Sequence, residues 1–119
     1  MIQVKDHKVL KGLLQYPFHP RMIELLSWFS IRYSETVITS AYREGFGVHG
    51  AIPCRGIDVR SWVFRRPQEV VDDINTHWEY DFERPEKVCA IFHDAGSGSH
   101  IHLQVHPNTK VKEAKNVKA

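Results

Sequence analysis

The sequence lacks most of the features that mark a specialised class. Only two cysteines occur in 119 residues, Cys54 and Cys89, and no Cys-x-x-Cys spacing is present. A disulfide scaffold and a thiolate zinc cluster are therefore excluded, and both cysteines are expected as free thiols. No uncharged apolar run approaches the ~20 residues that cross a bilayer, and residues 1–12 lack the apolar stretch of a secretory signal. The expectation is a chain synthesised in the cytoplasm without a signal peptide and with no membrane partner. Charge of one sign is also missing: 16 Lys and Arg against 14 Asp and Glu leave +2, too little to hold nucleic acid by charge alone. Repeats, low-complexity tracts and linkers are absent as well. The 42% hydrophobic and 25% charged content instead suits one packed globular domain. That domain is expected over 1–108, followed by a basic, flexible tail over 109–119, where Lys110, Lys112, Lys115 and Lys118 accompany no apolar face.

The spacing predicts a helix over 20–33, because Met22, Leu25, Leu26, Phe29 and Tyr33 share a stripe behind Pro20. A second helix is expected from Pro67, with Val70 or Val71, Ile74 and Trp78 repeating every four residues. Short β-branched and aromatic runs predict strands at 36–42, 57–63, 88–93 and 100–106. A glycine-rich connection over 94–99 is of hairpin length, so the last two strands should pair antiparallel. The expected class is α+β, with two main helices and a small antiparallel sheet of about four strands.

Histidine is the residue in excess. Eight are present, and His93, His100, His102 and His106 fall within fourteen positions. A period of two along the last strand sends Ile101, Leu103 and Val105 to the core and His100, His102, Gln104 and His106 to the opposite face. His106 lies roughly 13 Å beyond His102 on an extended strand, too far to share a centre with it. A second constellation runs Ser40-Ala41-Tyr42-Arg43, then Val48-His49-Gly50, then Gly56-Ile57-Asp58. A catalytic zinc takes three protein ligands and keeps a fourth position open. His49, Asp58 and one histidine of His100-Ile101-His102 would complete that set, unless Asp58 merely pairs with Arg43 or Arg60. Cys54, Trp28, Trp62 and Trp78 read as packing residues, and His93 as a neighbour of the site or a surface histidine.

These residues resemble the zinc peptidases of the D-Ala-D-Ala carboxypeptidase, murein endopeptidase and hedgehog-domain fold, which include small phage lysis enzymes. In that family a strand ending in Ser-x-x-Arg leads to a His, then to Gly-x-Asp, and later to His-x-His; here these are Ser40 to Arg43, His49, Gly56 to Asp58, and His100 to His102. The resemblance implies that His49, Asp58 and His102 bind Zn2+ and that His100 lies next to the metal's water as general base. It implies that Arg43, with Ser40, contacts the substrate, Arg43 on a carboxylate or on the carbonyl oxygen that becomes negative. The implied activity is hydrolysis of a peptide bond in peptidoglycan stem peptides, by a protein released on lysis or carried in a virion. Three departures stand out: the loop between His49 and Asp58 is two residues longer than usual, Gly47 replaces a common serine, and Ser99 stands where some carboxypeptidases place a glutamate.

Two other readings compete. One is a non-catalytic zinc-binding or virion-structural module of the same fold. The other is a single-strand DNA nickase using His100-Ile101-His102 as its metal motif, but no tyrosine follows His102 to act as nucleophile.

Overall fold

A computed structural model describes residues 1–95 and 98–112. The chain runs β1 (Ile2–Val4), α1 (His7–Gln15), α2 (Pro20–Arg32), β2 (Thr36–Ser40), a 3-10 turn (Val48–Gly50), β3 (Gly56–Arg60), α3 (Pro67–His77), β4 (Trp78–Glu79), β5 (Ala90–Ala95), β6 (Gly98–Gln104) and β7 (Lys110–Val111). The class is α+β. Five strands form one sheet in the order β1-β2-β3-β6-β5, and β4 with β7 make a separate ribbon.

The sheet corrects the expectation of about four antiparallel strands. It is mixed, because β1 pairs parallel to β2, with Ile2 opposite Thr36 and Val4 opposite Ile38. Two parallel neighbours need a crossover, and α1 and α2 supply it. Neither β1 nor α1 was expected from the sequence. β1 is three residues long, and α1 buries no side chain completely, so neither carries a strong periodic signal. The local code for α1 is a cap: Asp6 accepts the Val9 N–H at 3.1 Å, while Val9 and Leu13, one turn apart, lean on the core.

The expected helices and strands are present with shifted ends. Pro20 opens α2 and Pro67 opens α3, each in the first turn. The hairpin ladder is longer than expected, since Asp94 pairs with Ser99 and Ala95 with Gly98, leaving only 96–97 outside the described residues. Of the tail expected over 109–119, residues 113–119 also lie outside. Thr109 is buried and donates its hydroxyl to the Tyr80 carbonyl at 2.7 Å, and Lys110–Val111 pair with β4.

Strand alternation decides which face of the sheet is dry. Ile57 and Val59 of β3 and Ile101 and Leu103 of β6 point to α2 and α3, where they meet Met22, Leu25, Phe29, Val71 and Ile74. The register sets Asp58 opposite His102 and Arg60 opposite His100, so these polar residues gather on the other face. One-sided burial fixes that register, because a slip of one residue would put Asp58 in the core. Both cysteines are free and buried, as expected; burial pushes the Cys89 thiol up to about 12.

Phe29 is fully buried and meets Phe64 edge-on at 5.8 Å between ring centroids. Phe29→Ala is expected to destabilise the protein by ~3–5 kcal/mol, read as a lower urea midpoint at unchanged slope; a loss under ~1 kcal/mol would show that α2 is not what closes the core.

Candidate metal centre

His49, Asp58 and His102 meet on the wet face of the sheet, their ligand atoms all within 4.8 Å of one another. Asp58 Oδ1 lies 3.1 Å from His102 Nδ1 and 3.3 Å from His49 Nε2. Ligands about 2.0–2.1 Å from a tetrahedral zinc stand roughly 3.3 Å apart, so the spacing suits such an ion. The group can hold a metal ion.

Each histidine is oriented from behind. His49 Nδ1 lies 2.8 Å from the Ala41 carbonyl, which only accepts, so Nδ1 carries the proton and Nε2 faces Asp58 with its lone pair. Gln104 donates its amide to the Val88 carbonyl at 2.8 Å, which turns its oxygen toward His102 Nε2 at 3.0 Å. That nitrogen then donates, and His102 Nδ1 is the free lone pair. Assigned from this network, two lone pairs and a carboxylate oxygen point at one spot. Three acceptors converging this way repel unless a cation, metal or proton, lies among them. Binding of the second imidazole nitrogen by a fixed acceptor is the usual support of a metal-ligating histidine.

The loop that delivers His49 depends on two glycines. A Cβ on Gly56 would lie 2.5 Å from Val48 Cγ2 and 3.0 Å from His49 N, so only glycine lets the 3-10 turn settle on the start of β3. A Cβ on Gly50 would lie 2.1 Å from the Gly45 carbonyl oxygen, which closes the same loop on itself. The loop between His49 and Asp58 is anchored: Cys54 N–H donates to Pro17 O and His19 N–H to Cys54 O, both at 2.9 Å. Cys54 Sγ donates to Gly56 O at 3.1 Å, so its thiol packs and is not in the ligand set.

His100 and Arg43 flank the three. His100 Nε2 is 3.7 Å from Asp58 Oδ1, and an Arg43 guanidinium nitrogen is 3.8 Å from Asp58 Oδ2. The contact to Arg43 is long and its side chain is 60% exposed, so this is not a closed ion pair. Arg60 is not a partner of Asp58; its guanidinium stacks over Trp62 at 4.7 Å. Burial lowers the His100 pKa against the attraction of Asp58, and repulsion from His93, His102 and Arg43 works with burial. Burial would raise the Asp58 pKa, but hydrogen bonding with His102 and His49, where a proton lies between them, and the charges of His49 and His100 hold the carboxyl well below the usual range.

The remaining residues considered in the sequence stand outside the ligand set. His93 stacks near His100 at 5.1 Å between centroids but is not in the ligand set. His106 turns to Asp81 instead, at 3.6 Å. Trp78 is buried, Trp28 packs on the core edge beside it, and Trp62 is exposed at the rim. Ser40 sits opposite Asp58 in the β2–β3 register. Sequence reasoning did not single out Gln104 as a support, although its parity with His102 places it on the same face; the Ala41 carbonyl leaves no sequence signal.

Two outcomes follow. Gln104→Leu should keep the fold and weaken metal binding ~10–100-fold in a competition titration with a chromogenic chelator; unchanged affinity would mean that Gln104 does not orient His102. A carboxyl with a depressed folded pKa stabilises above its unfolded value of ~3.9, and that stability is lost as pH falls through the lower folded value. Chelator-treated protein should therefore lose melting temperature below about pH 4, with a shallower acid limb in Asp58→Asn; parallel limbs in the two proteins would contradict the assignment.

Compared with protein-family models, curated proteins and solved structures, the chain finds no match in any of the three.

Proposed function

We propose that the protein is a zinc-dependent hydrolase of peptide bonds in peptidoglycan stem peptides, of the hedgehog and D-Ala-D-Ala peptidase type. The observation that carries this reading is the convergence of His49 Nε2, His102 Nδ1 and Asp58 Oδ1, each imidazole fixed from behind, with His100 and Arg43 at its edge. Two neutral imidazoles and one carboxylate are a suitable donor set for zinc, and three protein ligands leave a position for water or substrate. When bound, zinc supplies a Lewis acid and lowers the pKa of water to about 7.

The chain's own residues account for the remaining chemistry. His100, whose charged form is disfavoured by burial, takes the proton released by the attacking water and returns it to the leaving amine. Arg43 offers its guanidinium fork to a terminal carboxylate or to the developing oxyanion. With a divalent ion, the single carboxylate leaves the ligand set at a formal +1, which favours an anionic peptide.

A non-catalytic zinc module is the second reading, and one observation favours it. Ser99, at the position of the missing glutamate, is hydrogen-bonded to Ser61 Oγ at 2.9 Å and offers no base.

Metal content measured together with hydrolysis of stem peptides separates the two. His102→Ala should lose both metal and activity. His100→Ala should keep the metal while activity falls ~10²–10⁴-fold. Full hydrolysis in the His100 variant would remove it as the base, and zinc binding without hydrolysis in the unmodified protein would favour the non-catalytic module.

A further inference from the structure

We infer that the cleft between α1 and the exit of β2, built around Lys5 and Lys8, is a subsite for an acidic side chain of the peptide whose backbone lies at the metal centre. The inference rests on the proposed peptidase reading and names what that site selects.

The cleft has a volume of about 340 Å³, and Lys5, Lys8, Gly12, Ser40, Tyr42 and Arg43 are among its walls. Arg43 is shared. It also lines a second groove of about 500 Å³, whose walls include Glu44, the exposed ring of Phe46 and His49. A ligand group held by Arg43 therefore has a metal ligand on one side and the lysine cleft on the other.

The charges of the cleft are not neutralised. Among the described residues, neither Lys5 nor Lys8 has an ion-pair partner. The one acid in the wall, Asp6, caps α1 through the Val9 N–H at 3.1 Å. Three cations against one engaged carboxylate make an anion-selective surface. Its shape is held from both ends. Tyr16, just past α1, stacks on Tyr42 at 3.8 Å between centroids, and Lys5 N–H donates to Ile38 O at 2.9 Å. At Gly12 a Cβ would meet nothing within 4 Å, so the wall there is open enough to admit a side chain.

The ammonium groups are exposed, so each contributes modestly, about twofold to fivefold in affinity per contact. Binding of acetyl-Ala-Glu-Ala and acetyl-Ala-Gln-Ala to the zinc-loaded full chain is the test, by calorimetry and by amide shifts in NMR spectra at low salt. Both peptides share the terminal carboxylate that suits Arg43, so only the side chain differs. The glutamate peptide should bind about tenfold more tightly and shift the amides of Lys5, Lys8 and Gly12. A Lys5→Gln/Lys8→Gln double variant should erase the preference while zinc content and the affinity for the glutamine peptide stay unchanged, and Lys5→Arg/Lys8→Arg should retain it. Equal affinity for the two peptides, a preference that survives the glutamine variant, or no measurable binding of either peptide at about 10 mM would each overturn the inference. A glutamate preference without hydrolysis would leave the subsite intact and count only against the peptidase reading.

Discussion

The structure is organised around an electrostatic conflict that the fold alone does not resolve. Two imidazole nitrogens and a carboxylate oxygen, all acceptors, are brought within hydrogen-bonding range of one another at Asp58 Oδ1. Their orientations are enforced by acceptors behind them, the Ala41 carbonyl and the Gln104 amide oxygen, which neither ring can satisfy by flipping without losing a hydrogen bond. Lone pairs aimed at one another across a buried pocket are costly without positive charge between them. A proton or a divalent ion placed among them can relieve the conflict, so both compete for the same three residues.

The scaffold supplies this arrangement from three separate stretches of chain. β3 and β6 are paired in the sheet interior, so Asp58 and His102 are held by backbone hydrogen bonds on both sides, with β2 and β5 outside them. Their opposite faces carry Ile57, Val59, Ile101 and Leu103 into the core, so the drive to bury those side chains is the same force that presents the ligands outward. His49 is the exception, since it comes from a loop. Its position is secured by close backbone approach at Gly50 and Gly56 and by the anchoring of Cys54 to residues 17–19. A precise site on a loop needs such supports, because a loop contributes none of the ladder that fixes the strands.

Much of this was legible in the sequence where a single period dominates. α2 was legible because an apolar stripe runs along its thirteen residues, and β6 because alternation separates Ile101 and Leu103 from His100 and His102. β1 and α1 were not, for a physical reason: three mostly exposed strand residues and a nine-residue helix on the rim of the core leave no period strong enough to read. The parallel edge of the sheet was missed with them. Within the site, the side-chain ligands could be listed from residue type and spacing, whereas the Ala41 carbonyl could not, because backbone acceptors have no letter. Arg60 shows the limit of charge matching: by sequence it was as good a partner for Asp58 as Arg43, but although it shares the face of Asp58 its guanidinium stacks on Trp62 instead.

The distribution of charge around the ligands bears on what a missing glutamate means. A carboxylate at position 99 would bring a base but would also cancel the formal +1 that a divalent ion would leave on two imidazoles and Asp58. With Ser99 hydrogen-bonded to Ser61 instead, His100, His93 and Arg43 stand beside the ligand set. Mutual repulsion among these groups, added to burial, disfavours the charged form of His100. On the proposed reading, the substitution therefore does more than delete a base. It leaves a positive field at the metal, which attracts anionic peptide, and it keeps an imidazole unprotonated beside the position where water would be attacked for its proton.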